Sequence, residues 1–116
     1  MKSISLIGST GSIGIQTCSV VRRHGDRFRI AAMAANSSAE LFLRQVEEFR
    51  PEYAALADEK AAESIRDRIP AGVRFAGGKQ AAEEAVGYGQ TAVIAATGFA
   101  GLKYSLAAAA AGKDVA

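Results

Sequence analysis

Short apolar runs alternate with longer stretches of helical periodicity along the 116 residues of this chain. Runs rich in Ile, Val, Leu, Phe and Ala at 3–7, 28–35, 53–57, 73–76 and 91–96 predict strands. Helices are predicted between and after them, at 13–23, 39–50, 59–69, 79–86 and 102–111. In the second of these, Leu43, Val46 and Phe49 recur at helical spacing, which leaves Arg44, Glu47, Glu48 and Arg50 to water. Terminal signals fit the same boundaries. Gly25 follows His24 in the position of a helix C-cap, Ser37-Ser38-Ala39-Glu40 has capping-box spacing, and Pro51 stops the helix that ends at Arg50. Asp58 stands as an N-cap, Pro70 follows the third helix, and Gly112 closes the fifth. Beyond it, Lys113-Asp114-Val115-Ala116 reads as the start of a sixth strand, so the sequence reads as a fragment truncated inside that strand.

Strands alternating with helices predict an α/β domain: a doubly wound, mostly parallel sheet with helices on both faces. The apolar first and fifth strands (Ile4, Leu6, Ile7; Val93, Ile94) are expected at its centre. The first strand runs directly into Gly8-Ser9-Thr10-Gly11-Ser12-Ile13-Gly14 and then into a helix. Three glycines at three-residue spacing between strand and helix match the dinucleotide phosphate-binding turn of a Rossmann-like fold, the alternative being a tight strand-to-helix turn that binds nothing. Gly8 supplies unusual backbone angles, Gly11 lets the pyrophosphate approach the main chain, and Gly14 lets helix and strand close up. Thr10 and Ser12 add hydroxyl donors, and the helix N-terminus adds free N–H groups and partial positive charge. The first glycine stands one place earlier than in G-x-G-x-x-G, with Ser9 in its usual position. No Gly-Lys-Ser/Thr follows, which excludes a P-loop.

Composition narrows the field further. The length suits one domain, residues 1–116, with no repeat, linker or second composition regime. Fourteen basic against 12 acidic residues give a formal charge of +2, without a basic stripe, so no nucleic-acid partner is indicated. No segment is long and apolar enough for a membrane span or a signal core. Cys18 is alone, which excludes an internal disulfide or a cysteine zinc site and fits a reducing, cytoplasmic setting.

An NAD-binding domain places an Asp or Glu at the end of the second strand to hold the ribose 2′-hydroxyl. Here that edge reads Ala35-Asn36-Ser37-Ser38, with donors and no carboxylate, which predicts NADP over NAD. Thr97 and Gly98, after the fifth strand, are candidates to face the nicotinamide half, although Gly98 and Gly101 also read as plain turn residues.

Together these pieces resemble the 1-deoxy-D-xylulose 5-phosphate reductoisomerase family. The opening Leu6 to Gly14, then Phe28-Arg29, Phe49-Arg50-Pro51 and the Gly101-Leu102 … Leu106-Ala107-Ala108 … Ala111-Gly112-Lys113 pattern carry the likeness at the family's spacing. It covers this whole chain and about the N-terminal third of a member. The resemblance implies NADPH, with Thr10, Gly11, Ser12 and Ile13 at its phosphates and Asn36, Ser37 and Ser38 at the adenosine ribose phosphate. It implies an enzyme that rearranges 1-deoxy-D-xylulose 5-phosphate to a branched aldehyde and reduces it to 2-C-methyl-D-erythritol 4-phosphate, in isoprenoid synthesis. It also implies Mg²⁺ or Mn²⁺, a phosphorylated-sugar site and a homodimer, with catalytic residues, metal ligands and dimer contacts outside this stretch. Two departures stand out. Many members carry Gly-Lys-Asn or Gly-Ser-Asn where this chain has Asn36-Ser37-Ser38, and often Pro-Thr in place of Tyr104-Ser105.

No residue here is assigned as catalytic acid, base or metal ligand, so the stretch alone is expected to bind cofactor without turnover. His24 fits a helix C-terminus, and Cys18 a small core position. Glu47-Glu48 and Glu83-Glu84 read as solvated surface, since helical neighbours point apart. Alternatives remain the cofactor domain of another NADP-linked reductase, or a stand-alone dinucleotide-binding or redox-sensing module. A semialdehyde dehydrogenase would need a nucleophilic cysteine that Cys18 does not provide. An epimerase-type reductase would need Tyr-x-x-x-Lys, and neither Tyr53, Tyr88 nor Tyr104 has a lysine four residues on.

Overall fold

A computed structural model describes residues 1–96 and 98–116, and for Gly98, Phe99 and Ala100 the backbone alone. The described chain runs β1 (Lys2–Ile7), α1 (Ser12–Arg23), β2 (Phe28–Ala35), α2 (Ala39–Phe49), β3 (Tyr53–Leu56) and α3 (Glu59–Ile65). It continues through β4 (Arg74–Gly77), α4 (Lys79–Glu84), β5 (Thr91–Ile94), α5 (Gly98–Ala110) and β6 (Asp114–Val115). Among these residues six strands form one sheet in the order β4-β3-β2-β1-β5-β6, with every pair parallel. Parallel neighbours cannot be joined by a tight turn, so a helix carries each return. No helix among the described residues is long and apolar enough to cross a membrane.

The core has two layers because the sheet is covered twice. Ile4 and Leu6 of β1 pack with Cys18 and Val21 of α1, Phe42, Leu43 and Val46 of α2, and Ala62 and Ile65 of α3. Ile7, Ala32, Ala34 and Ala55 face the other way, toward Ala82 of α4, Val86 and Ala108 of α5. Tyr53 stacks on Tyr88 at 4.7 Å, and its hydroxyl donates to the Ala81 carbonyl at 2.7 Å, which ties α4 to β3. On β2, Ile30 and Met33 are three residues apart yet pack in the same layer. Alternation forbids that in a regular strand. The register of β1 with β2 slips at Ile4/Ser5, so that Ile30 and Ala32 are consecutive partners and Ala31 is extra, which restores the parity.

Ser3 and Ser5 lie buried in β1. Their hydroxyls accept the N–H groups of Gln90 (3.0 Å) and Gly89 (2.7 Å), so neither is left unpaired. Gly89 approaches so closely that a Cβ there would stand 2.5 Å from the Ser5 nitrogen.

Several boundary expectations are corrected. His24 itself closes α1 through N–H bonds to Val20 and Val21, and Gly25 is not among the glycines at positive φ. The capping box does not form, because Ser38 rather than Ser37 is the N-cap and makes no side-chain bond. That puts Glu40 one place too early to reach back, and its carboxylate instead pairs with Arg68. Arg50 avoids the right-handed helical region before Pro51 by turning left-handed, at φ 45°. The third and fourth helices tighten into 3-10 turns at Arg66–Arg68 and Ala85–Gly87. The fifth starts earlier than expected and takes Gly98 and Gly101 inside its first turn. Asp58 caps α3 by accepting from Ala61 N–H at 2.9 Å, and Gly112 ends α5 at φ 73°. β1 is central, but β5 lies one strand from the edge, and Val93 and Ile94 stay half-buried beside the two-residue β6.

Candidate functional site

β1 is flanked by β2, which leads outward to β3 and β4, and by β5, which leads the other way. That reversal opens a crevice above the carboxyl ends of the strands, where ligands of doubly wound sheets lie. The glycine turn sits in it. Gly8 has φ 87°, and a Cβ there would come within 2.7 Å of the Ala96 nitrogen. The N–H groups of Gly8 and Ser9 both reach the Ala34 carbonyl, at 2.7 and 3.2 Å, which anchors the turn to β2. Gly14 lies beneath it, where a Cβ would stand 2.1 Å from the Gly8 oxygen and 2.6 Å from the Ser9 carbonyl carbon. Gly11 is different. A Cβ there would meet only the Gly8 oxygen, at 3.7 Å, so its outer side is open.

Gly11 is also the N-cap of α1, with no side-chain cap and no acidic residue in the first turn. The first helical bond is Ile15 N–H to the Gly11 carbonyl, at 2.9 Å. The N–H groups of Ser12, Ile13 and Gly14 therefore keep no partner within the helix, and its positive end is not offset by a carboxylate. This is a place built to receive an anion.

A cavity of about 660 Å³ opens there, lined by Gly8, Thr10, Gly11, Ser12, Ile13 and Asn36. Of the other expected residues, Gly14 lies behind the turn, while Ser37 and Ser38 are exposed and off the lining. Gly98 opens α5, and Thr97 lies outside the described residues.

Two contributions escaped the sequence. First, Lys79 and Glu83 of α4 and Lys103 and Tyr104 of α5 also line the cavity. Lys103 Nζ stands 3.8 Å from Glu83 Oε1, so the partly exposed Glu83 is also half of an inter-helix pair. Burial, with Glu83 nearby, pushes the Tyr104 phenol upward. No spacing rule connects α4 and α5, since the crossover alone brings them together. Second, Gln45 of α2 is buried, and its Nε2 donates to the Ser9 carbonyl at 2.8 Å, which holds the turn from behind. The helical period of α2 places Gln45 beside Val46 on the inward side, and a buried amide there was the available signal.

A family model described as 1-deoxy-D-xylulose 5-phosphate reductoisomerase matches residues 4–116. The chain belongs to the 1-deoxy-D-xylulose 5-phosphate reductoisomerase family. The member from Thermomicrobium roseum is 47% identical over 116 residues, covering 97% of this chain and 29% of its own length. The reductoisomerase of Zymomonas mobilis, solved in complex with NADPH, has a TM-score of 0.90 at 30% identity, over 99% of this chain and 31% of that one. A family member solved with NADPH, fosmidomycin and magnesium has a TM-score of 0.87 at 30% identity, over 99% and 29%. The chain thus spans about 30% of the length of the curated relatives it matches. Among the described residues no group of three His, Cys, Asp or Glu side chains is placed to hold a metal ion.

Proposed function

We propose that this chain is the NADPH-binding part of a 1-deoxy-D-xylulose 5-phosphate reductoisomerase. The observation that carries the reading is the uncapped start of α1 at Gly11, open to the cavity while Gly8 and Gly14 are packed against backbone. The N–H groups of residues 12–14 would hold the pyrophosphate, with Thr10 and Ser12 hydroxyls beside it. Asn36, on the lining, would face the adenosine ribose phosphate, with the exposed Ser37 and Ser38 at its outer edge, and Thr97 and Gly98 the nicotinamide half. When bound, NADPH supplies the hydride that reduces the branched aldehyde formed by rearrangement of the sugar phosphate. This chain's own part is to fix the cofactor and keep its reactive end at the β1/β5 crevice. Substrate phosphate, divalent metal and proton transfers belong to other parts of the enzyme, so the chain by itself binds without turnover. A cytoplasmic homodimer is part of the same reading, and the lone buried thiol of Cys18 suits a reducing compartment.

Titration of NADPH followed by hydrogen exchange tests the cofactor role. Saturable binding with new protection at residues 8–14 and 36–38 is the expected result, and binding without protection there would refute it. For the whole protein, consumption of NADPH on addition of 1-deoxy-D-xylulose 5-phosphate and Mg²⁺ tests the reaction.

A further inference from the structure

We propose that Lys79 is the cation that selects a 2′-phosphorylated dinucleotide in this cavity, with Asn36 facing it as hydrogen-bond donor. The inference rests on the cofactor reading above and adds a residue to it. Two ammonium groups and one carboxylate line the cavity: Lys79, Lys103 and Glu83. Lys103 and Glu83 stand 3.8 Å apart and offset one another. Among the described residues Lys79 has no carboxylate within salt-bridge distance, so it leaves the cavity one uncompensated positive charge.

The strand ends place that charge opposite Asn36. Ala57 N–H bonds to the Ala35 carbonyl (2.9 Å), Asp58 N–H to Asn36 (3.0 Å) and Gly78 N–H to Leu56 (2.9 Å), so the exits of β2, β3 and β4 form one lateral row. Asn36 and Lys79 are the exits two strands apart, a backbone separation of roughly 10 Å at ordinary strand spacing. A lysine arm and an asparagine amide reaching inward across that gap enclose a single phosphate, with the small Ala57 between them leaving room for it.

The other charges nearby are committed. Arg68, in the turn after α3, is engaged by Glu40 at the start of α2. Asp58 Oδ1 accepts the Ala61 N–H as the α3 cap, at 2.9 Å. The Glu59 side chain lies beside Gly78 but does not line the cavity. Because Asn36 stands where a carboxylate would repel a 2′-phosphate, the row favours that group on both sides.

The test compares NADPH and NADH affinities of the whole protein for the wild type, Lys79→Gln, Lys79→Arg and Arg68→Gln. Lys79→Gln should weaken NADPH about tenfold, the scale of one charge-assisted hydrogen bond, and leave NADH unchanged. Lys79→Arg should keep most of the selectivity, and Arg68→Gln should change neither affinity. Competition by 2′-AMP against NADPH should weaken with Lys79→Gln, whereas competition by 5′-AMP should not. Equal loss for both dinucleotides, no loss, or selectivity that falls with Arg68→Gln instead would overturn the role of Lys79. A wild type that binds neither dinucleotide would overturn the cofactor reading itself.

Discussion

Two glycines of the turn, three residues apart, should fail in different ways when a methyl group is added. At Gly14 the new Cβ would lie 2.1 Å from the Gly8 oxygen and 2.6 Å from the Ser9 carbonyl carbon, all backbone atoms that cannot rotate away. Restoring van der Waals contact requires α1 and the turn to part by roughly 1 Å, and overpacking of this kind costs about 1–3 kcal/mol. Alanine's better helix propensity returns up to about 1 kcal/mol. The expected net loss for Gly14→Ala is therefore about 1–2 kcal/mol, which lowers the urea midpoint by about 1 M. Since the displaced atoms carry the phosphate-binding N–H groups, NADPH affinity should also fall, by about 10–100-fold. At Gly11 the same methyl meets only one atom, at an ordinary 3.7 Å, and φ is −78°, open to any residue. Gly11→Ala should leave the unfolding free energy within about 0.5 kcal/mol of wild type, yet lose NADPH affinity, because the methyl occupies the phosphate's approach. Urea melts and calorimetric titration of both variants decide it. A Gly14→Ala protein as stable as wild type would refute the packing argument, and a Gly11→Ala protein with full affinity would show that no phosphate approaches Gly11.

Three further outcomes follow from contacts away from the lining. Gln45→Leu removes the bond to the Ser9 carbonyl and also a buried Oε1 that has no partner. These effects offset, so stability should shift by no more than about 1 kcal/mol, while NADPH affinity falls several-fold as the turn loses its support. Unchanged affinity would remove Gln45 from the positioning role. Hydrogen bonds from Arg22 and Arg68 hold the Glu48 and Glu40 carboxyls below their ordinary 4.5. Lowered folded values mean that this stabilisation is complete above about pH 4.5 and fades as pH falls through them. Glu48→Gln should flatten the acid side of a stability–pH curve measured by urea melts, and an unaltered slope would show that the Arg22 pair contributes nothing. Burial pushes the Cys18 thiol up to about 11. Roughly one molecule in a thousand is then thiolate at pH 8, so a thiol reagent should label the native protein far more slowly than the urea-unfolded one. Rapid native labelling would show that the core does not shield this thiol.

Local pattern was enough for the succession of strands and helices along the chain, the doubly wound class and the strand–glycine turn–helix unit. These rest on local physics: apolar runs and helical periods are written in neighbouring residues, and Gly14 packs against Gly8 and Ser9 within a single strand–turn–helix unit, whereas the close approach at Gly8 is to Ala96, beyond β5. Asp58 and Gly112 marked helix ends for the same reason. What depends on residues far apart in the chain became legible only in the folded molecule. The bulge at Ala31 matches β2 to the layers on either side of it, and Glu40, left without a capping box by the start of α2 at Ser38, pairs with an arginine 28 residues later. The cavity wall shows this most plainly. Glu83 read in sequence as solvated surface, and Lys79, Lys103 and Tyr104 gave no sign of a shared wall, because nothing local reveals that the crossover from β4 to β5 swings α4 back beside α5. Gln45 likewise looked like one more position on an amphipathic helix until Ser9, 36 residues earlier, was folded against it. Spacing identifies a motif whose parts are neighbours in the chain, whereas a wall assembled across a parallel sheet is fixed by strand order and register.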